Sequence, residues 1–412
     1  MPSLEDKLSS VILGTIRSRK KKPERVLPAE KLGSPPPAKL REATFADFDG
    51  VMNLRRAAGW SADSRENWER LWHRNPALAS MEVPPPIGWV LEAEGRVVGY
   101  LGNITLTYRY GDRLLTAATG SGLVAEPAYR PVAVSLNAAF YRQKSVDLYL
   151  TTTAIEAVGK ISFAFKSLPL PQRDYGSILF WVLQPKPFAN AVIKKLEFKP
   201  TLSRSAAALA SVAIRSDRRL RHRYPRRDSK MLSVQERDVS DIGDDFRALW
   251  LEKLKEETRL LADRDPATLR WHFDIPGDTG AVRVFCCYQQ AELLGYAIVR
   301  DELPSHASGL RRSIIADMLV KQDDPVVLRS LWVAAYDHAK QCGSHVFEVL
   351  GFPTNIRNVC SSWRPYLRKY PSCPFYYKAS DPVLHQTLTD GQVWYATPFD
   401  GDTTLWAFGN SS

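Results

Sequence analysis

Apolar residues in the first half of the chain come in short runs separated by turn residues. Trp89-Val90-Leu91 is one such run, and Glu94-Gly95 stands where a two-residue hairpin turn favours glycine. Residues 97–108 are apolar and β-branched, with Gly99 and Gly102 marking a bulge or a close backbone approach. Gly111-Asp112 turns the chain again, and residues 114–125 return through small and apolar side chains to Pro127. Val132, Leu136, Ala139 and Phe140 then follow helical spacing, and residues 146–153 are strongly β-forming. A short helix over 157–165, a strand over 175–183 and two helices over 192–196 and 205–214 complete this half. Upstream, residues 40–44 read as a strand, Thr44 as the N-cap of a helix with Asp47 three residues on, and 68–73 as a helix stopped at Asn75-Pro76.

The second half repeats the plan. Residues 246–261 form an amphipathic helix, 269–276 echo 71–76, and the runs 282–288 and 293–299 echo the first hairpin. Gly295 stands to Gly99 as Val320 stands to Val124, 196 positions apart in both cases. A helix over 326–342 and a strand over 346–350 follow in the corresponding places.

The junction after the third long strand reads Val124-Ala125-Glu126-Pro127-Ala128-Tyr129-Arg130-Pro131-Val132-Ala133-Val134-Ser135. With the hairpin before it, this resembles the GNAT-type N-acetyltransferases, whose fourth strand ends in a pattern like V-x-P-x-x-R-G-x-G-x-G/A. There the helix start holds the pyrophosphate of acetyl-CoA, because unpaired amides and the positive helix end face the anion. The resemblance implies an α/β (α+β) chain of two GNAT-like domains, each a mixed, mostly antiparallel sheet flanked by helices. Residues 1–38 are then a basic, Pro-rich tail, 39–190 an acyl-CoA domain, 191–235 a helical and basic connector, and 236–412 a second domain. Asp323-Asp324-Pro325 replaces the phosphate loop in that second domain, and two carboxylates there repel pyrophosphate.

The implied activity is N-acyl transfer from acetyl-CoA or another acyl-CoA to an amine on an amino sugar, polysaccharide intermediate or peptide. Leu123, Val124, Arg130, Val132, Ala133, Val134, Ser135 and Leu136 would hold the co-substrate, with Glu126 and Tyr175 the catalytic candidates and Glu156 of the same standing. A junction Glu and a half-buried Tyr are equally at home as structural residues. No glycine lies between Gly122 and Gly159, and no tyrosine between Tyr149 and Tyr175, where the family often carries its acid. These departures keep two alternatives open: a non-catalytic scaffold with a degenerate loop, and a FemABX-type aminoacyltransferase.

Charge adds one distinction. Of the net +11, residues 1–38 contribute +4 and 215–230 contribute +6, which leaves +1 for the rest. A basic tail and linker suit contact with nucleic acid or an anionic membrane, but also serve as solvated arms, and the neutral remainder favours the arms. The five cysteines are odd in number and form no C-x-x-C pair, which points to a reducing, cytoplasmic setting. The histidines are scattered without metal-ligand spacing, so no metal is expected.

Overall fold

The computed structural model describes residues 35–406 except 80, 196–199, 228–230, 278–280, 305–307 and 371, so most of the 1–38 tail lies outside the described residues. The first strands are β1 (Lys39–Glu42), β2 (Gly88–Ala93), β3 (Arg96–Tyr110), β4 (Arg113–Ala125), β5 (Leu148–Thr151), β6 (Leu168–Pro169) and β7 (Ser177–Val182). The later ones are β8 (Val234–Arg237), β9 (Leu260–Ala262), β10 (Val282–Gln289), β11 (Glu292–Glu302), β12 (Arg312–Val320), β13 (Val346–Val349), β14 (Tyr366–Lys369) and β15 (Tyr376–Ala379). Glu94 and Gly95 both take positive φ, 49° and 72°, the geometry of the tight turn that Gly at the second position permits. Thr44 and Asp47 form the reciprocal cap, with the Thr44 amide donating to Oδ2 of Asp47 at 2.8 Å.

Two mostly antiparallel sheets result, flanked by helices. Their strand orders are β1-β2-β3-β4-β5-β15-β6 and β8-β10-β11-β12-β13-β7-β14, with β9 added to β3. In both, the third long strand meets the next one in parallel, β4 with β5 and β12 with β13. The spacing seen in the sequence is thus a repeated strand order. The late strand of each half, however, crosses over: β7 pairs with β13 and β14, and β15 pairs with β5 and β6. A cut of the chain between residues 190 and 236 therefore separates the halves in sequence but leaves β7 of the first half in the second sheet, and β9 and β15 of the second half in the first.

Three local readings change. The helix expected over 246–261 ends earlier, as Asp244–Leu254, and Leu260–Ala262 becomes β9 against Tyr108–Tyr110. The two helices expected over 192–196 and 205–214 are longer, Pro185–Lys195 and Pro200–Leu220, and the second runs into the basic residues of the connector. Its arginines are engaged: Arg218 donates to the Leu183 carbonyl (3.1 Å), Arg223 pairs with Asp217 (2.7 Å) and Arg227 with Asp337 (2.9 Å).

Between the sheets runs the stretch 394–405, in which Tyr395, Ala396, Thr397 and Thr404 have no solvent exposure. A buried backbone of this kind needs polar partners along its length. Tyr395 donates to the Met318 carbonyl on β12 (2.9 Å), Gln172 bonds both the amide and the carbonyl of Ala396, and Arg300 donates to the Thr404 carbonyl (2.9 Å). Arg70 donates to the carbonyls of Trp271 and Leu405. Burial, together with Arg70, Arg264 and Arg300, lowers the pKa of His272 so that it stays neutral against Thr404 Oγ1 (3.0 Å). At the centre the fully enclosed Arg264 and Asp317 meet through two bonds of 3.0 Å, and Tyr296 and Thr397 complete the carboxylate. Replacing Asp317→Ala leaves an unpaired buried guanidinium, so a denaturant melt should show a loss of about 3–5 kcal/mol; a loss under about 1 kcal/mol would contradict this account of the core.

Candidate functional site

β4 and β5 stay together for only three residue pairs, Ala117–Thr119 with Leu148–Leu150. Beyond Thr119, β4 runs on to Ala125 without a β5 partner, which opens a wedge between the strands. The cause is in β4. Its register with β3 jumps between Tyr100/Val124 and Gly102/Ser121, and Gly122 sits at φ +68°, so a bulge bends the strand there. An alanine at Gly122 would have to adopt that left-handed conformation at a steric cost.

The floor of the wedge is polar. Ser121 on β4 donates to Oδ2 of Asp402 (2.6 Å), and Thr152, just past β5, donates to Oδ1 (2.9 Å). One buried carboxylate thus bridges the two parted strands from the stretch between the sheets. Gly401 makes the approach feasible: at φ +71°, a Cβ there would lie 2.3 Å from the Thr152 side chain. Burial raises the Asp402 pKa, against the opposing pull of the two hydroxyls. Neighbouring Asp400 accepts from the Tyr108 hydroxyl (2.9 Å) and the Thr397 amide (2.7 Å), and burial pushes its pKa up to about 6.

The residues singled out from the sequence fall in three places. Val124 and Leu136 are buried, while Leu123 is half-buried on the opposite face of β4 from Val124. Arg130, Val132 and Val134 are exposed on the turn into the helix Val134–Tyr141, with Ala133 and Ser135 partly covered. In this turn the amides of Tyr129, Val132, Ala133, Ser135 and Leu136 donate to carbonyls within it, and Ser135 Oγ donates to the Val132 carbonyl (2.7 Å). Glu126 stands at the rim, paired with Arg96 of the hairpin (3.1 Å), beside a cavity of about 500 Å³ under the helix Phe48–Ala57. Glu156 is exposed and paired with Lys160 (2.9 Å).

Tyr175 is turned into the core just before β7. Its ring packs edge-on against Phe375, its hydroxyl lies 3.4 Å from the Thr397 carbonyl, and burial raises its pKa well above the ordinary value. The structure therefore does not bring Tyr175 and Glu126 together at the wedge, because the strand that follows Tyr175 belongs to the second sheet. Ser121, Thr152 and Asp402 occupy that floor. Their trace in the sequence is the polar run Asp400-Gly401-Asp402-Thr403-Thr404 set between aromatic residues.

In the second sheet the equivalent opening is closed by the chain itself. β12 leaves β13 after Ile314, and Tyr395 reaches the Met318 carbonyl beyond that point. Asp324 takes the amides of Val326 and Val327 (2.7 and 3.2 Å), the groups an anion would need at that helix start. Asp323 is held by Lys253 and Arg259.

No protein-family model matches the sequence, and no curated protein matches it. Among solved structures, a GCN5-related N-acetyltransferase from Anabaena variabilis ATCC 29413 superposes with a TM-score of 0.52 at 11% identity, over 84% of this chain and 73% of that one. The fold is that of the GCN5-related N-acetyltransferases. A conserved protein of unknown function from Enterococcus faecalis V583, given as a "Probable N-Acyltransferase", matches with a TM-score of 0.50 at 8% identity, over 83% of this chain and 73% of that one.

The raised Asp400 has a measurable signature. The folded state holds its proton up to about pH 6, whereas an unfolded aspartate releases it near pH ~3.9, so the folded state gains stability as pH falls through that window. Relative to an Asp400→Asn variant, the wild type should gain about 2–3 kcal/mol in urea melts between pH 7 and pH 4. A difference that stays flat with pH would show that Asp400 is not held protonated.

Proposed function

We propose that the protein is an acyl-CoA-dependent N-acyltransferase acting on an amine of a small molecule, glycan or peptide. The observation that carries this reading is the wedge between β4 and β5 with a buried, hydroxyl-held carboxylate at its floor. Acyl-CoA fits the surroundings in two respects. Arg130 is exposed where the turn meets the helix and offers a cation to a pyrophosphate. Val132 and Val134 on that turn, with Ile155 and Phe163 at the helix after β5, give exposed apolar surface on both sides of the opening, 48–67% exposed each. When bound, acyl-CoA supplies the activated acyl thioester.

The chain's own residues have separate tasks. The bulge takes Gly122 and Leu123 out of the ladder with β3, and an amide of β4 freed there would stabilise charge developing on an acyl oxygen. Asp402 accepts the proton an attacking amine must lose, and its raised pKa brings it nearer to neutral operating pH than an ordinary carboxylate. Ser121 and Thr152 hold it in one orientation. Amino sugars, polysaccharide intermediates and peptides are the acceptors to screen first.

One observation favours a second reading, a scaffold that keeps the fold without the ligand. The amides of Tyr129, Val132, Ala133, Ser135 and Leu136 are already used within the turn, which leaves fewer donors for phosphate. Calorimetric titration with acetyl-CoA and desulfo-CoA separates the two. Binding in the micromolar range, lost in Ser135→Asp because a carboxylate then faces the anion, is the expected result; no heat up to millimolar ligand would favour the scaffold. With an acceptor in hand, Asp402→Asn should keep CoA affinity within about 3-fold and lower turnover about 10²–10⁴-fold. Unchanged turnover would remove Asp402 from the reaction.

A further inference from the structure

Although the histidines look scattered along the chain, the fold gathers one of them with a thiol and a carboxylate. His338 and Cys342 lie one turn apart at the end of the helix Pro325–Gln341, and Asp301 faces them from β11. His338 Nε2 is 2.9 Å from Asp301 Oδ2, Cys342 Sγ is 3.3 Å from the same nitrogen, and the three ligand atoms all lie within 4.8 Å of one another. We propose that Asp301, His338 and Cys342 form a binding site for a zinc-class divalent cation, distinct from the wedge and independent of the acyl-transfer reading.

The donor set is the first argument. Thiolate, imidazole and carboxylate together suit zinc, and bonds of about 2.0–2.3 Å around a tetrahedral ion set neighbouring ligand atoms roughly 3.3–3.7 Å apart. The observed separations need only small changes. Sγ is 3.6 Å from Nδ1 as well as 3.3 Å from Nε2, so the sulfur rests over the ring face. Because Cys342 is exposed, a change of its χ1 rotamer swings the sulfur toward the Nε2 side without displacing core atoms.

The surroundings are the second argument. Ser313 donates to the other oxygen of Asp301 and also meets Ser344 Oγ (2.7 Å), and both serines are buried, so Oδ2 stays directed at His338. Phe285 packs on the imidazole at 5.3 Å and fixes its plane. Arg283 on the neighbouring strand β10 is paired with Glu236 (3.0 Å) and Asp238 (3.7 Å). Three protein ligands leave a fourth position for water. Without an ion, Asp301 and His338 still tie β11 to the helix.

The test uses the full-length protein, stripped with a chelator and titrated with Co²⁺ and with Zn²⁺ against a competing chelator. One Co²⁺ per chain with a thiolate charge-transfer band is expected, and Zn²⁺ should displace it. Cys342→Ser, a substitution at an exposed position, should abolish the band and weaken Zn²⁺ at least about 10-fold, and His338→Gln should weaken it similarly. Circular dichroism checks that both variants fold. A titration without stoichiometric binding overturns the proposal, as does binding that Cys342→Ser leaves unchanged.

Discussion

A guanidinium with no solvent access must be met by protein on every side, and Arg264 imposes that requirement on the middle of this molecule. Asp317 supplies the charge, but its own second set of lone pairs needs Tyr296 and Thr397, and Thr397 lies on the stretch between the sheets. That stretch then brings Asp400 to Tyr108 and Asp402 to Ser121 and Thr152. A chain of buried polar pairs thus runs from β12 of one sheet to β4 of the other. Desolvated charges of this kind stabilise a structure only when every partner is present, so the arrangement specifies one register for residues 394–405.

The exchange of β7 and β15 works in the same direction. Each sheet is completed by a strand made in the other half of the chain, and its edge pairing depends on that strand. Two sheets that share strands and a buried segment unfold together more readily than apart. The wedge is consequently held from both sides: β4 and β5 belong to the first sheet, while its floor is delivered by residues anchored on the second.

Much of this was legible in local pattern. The hairpin of β2 and β3, the return in β4 and the repeat near 196 residues follow from alternation, glycine positions and turn residues, each of which acts over a few neighbours. The resemblance at residues 124–135 fell on the end of β4 and the turn into the helix Val134–Tyr141. It could not reveal that Tyr175 precedes a strand of the other sheet, because strand exchange is decided by packing across the whole chain. Asp402 was invisible for a similar reason: the residues that bury it are Ser121 and Thr152, some 281 and 250 positions away. His338 and Cys342 show their helical spacing, but Asp301 is 37 residues upstream on another element.

The exchanged strands also impose an order on synthesis. A ribosome delivers β1 to β5 long before β15, and residues 394–405 later still, so the first sheet waits with an unpaired edge on β5 and an unfilled junction while more than half the chain is made. Pairings of such sequence separation form slowly, and exposed edges invite wrong partners in the interval. A product that stops short of residue 394 has no route to the closed arrangement. Nascent chains of this protein should therefore depend on chaperone cover until the last stretch emerges, and interrupted ones should be handed to proteolysis.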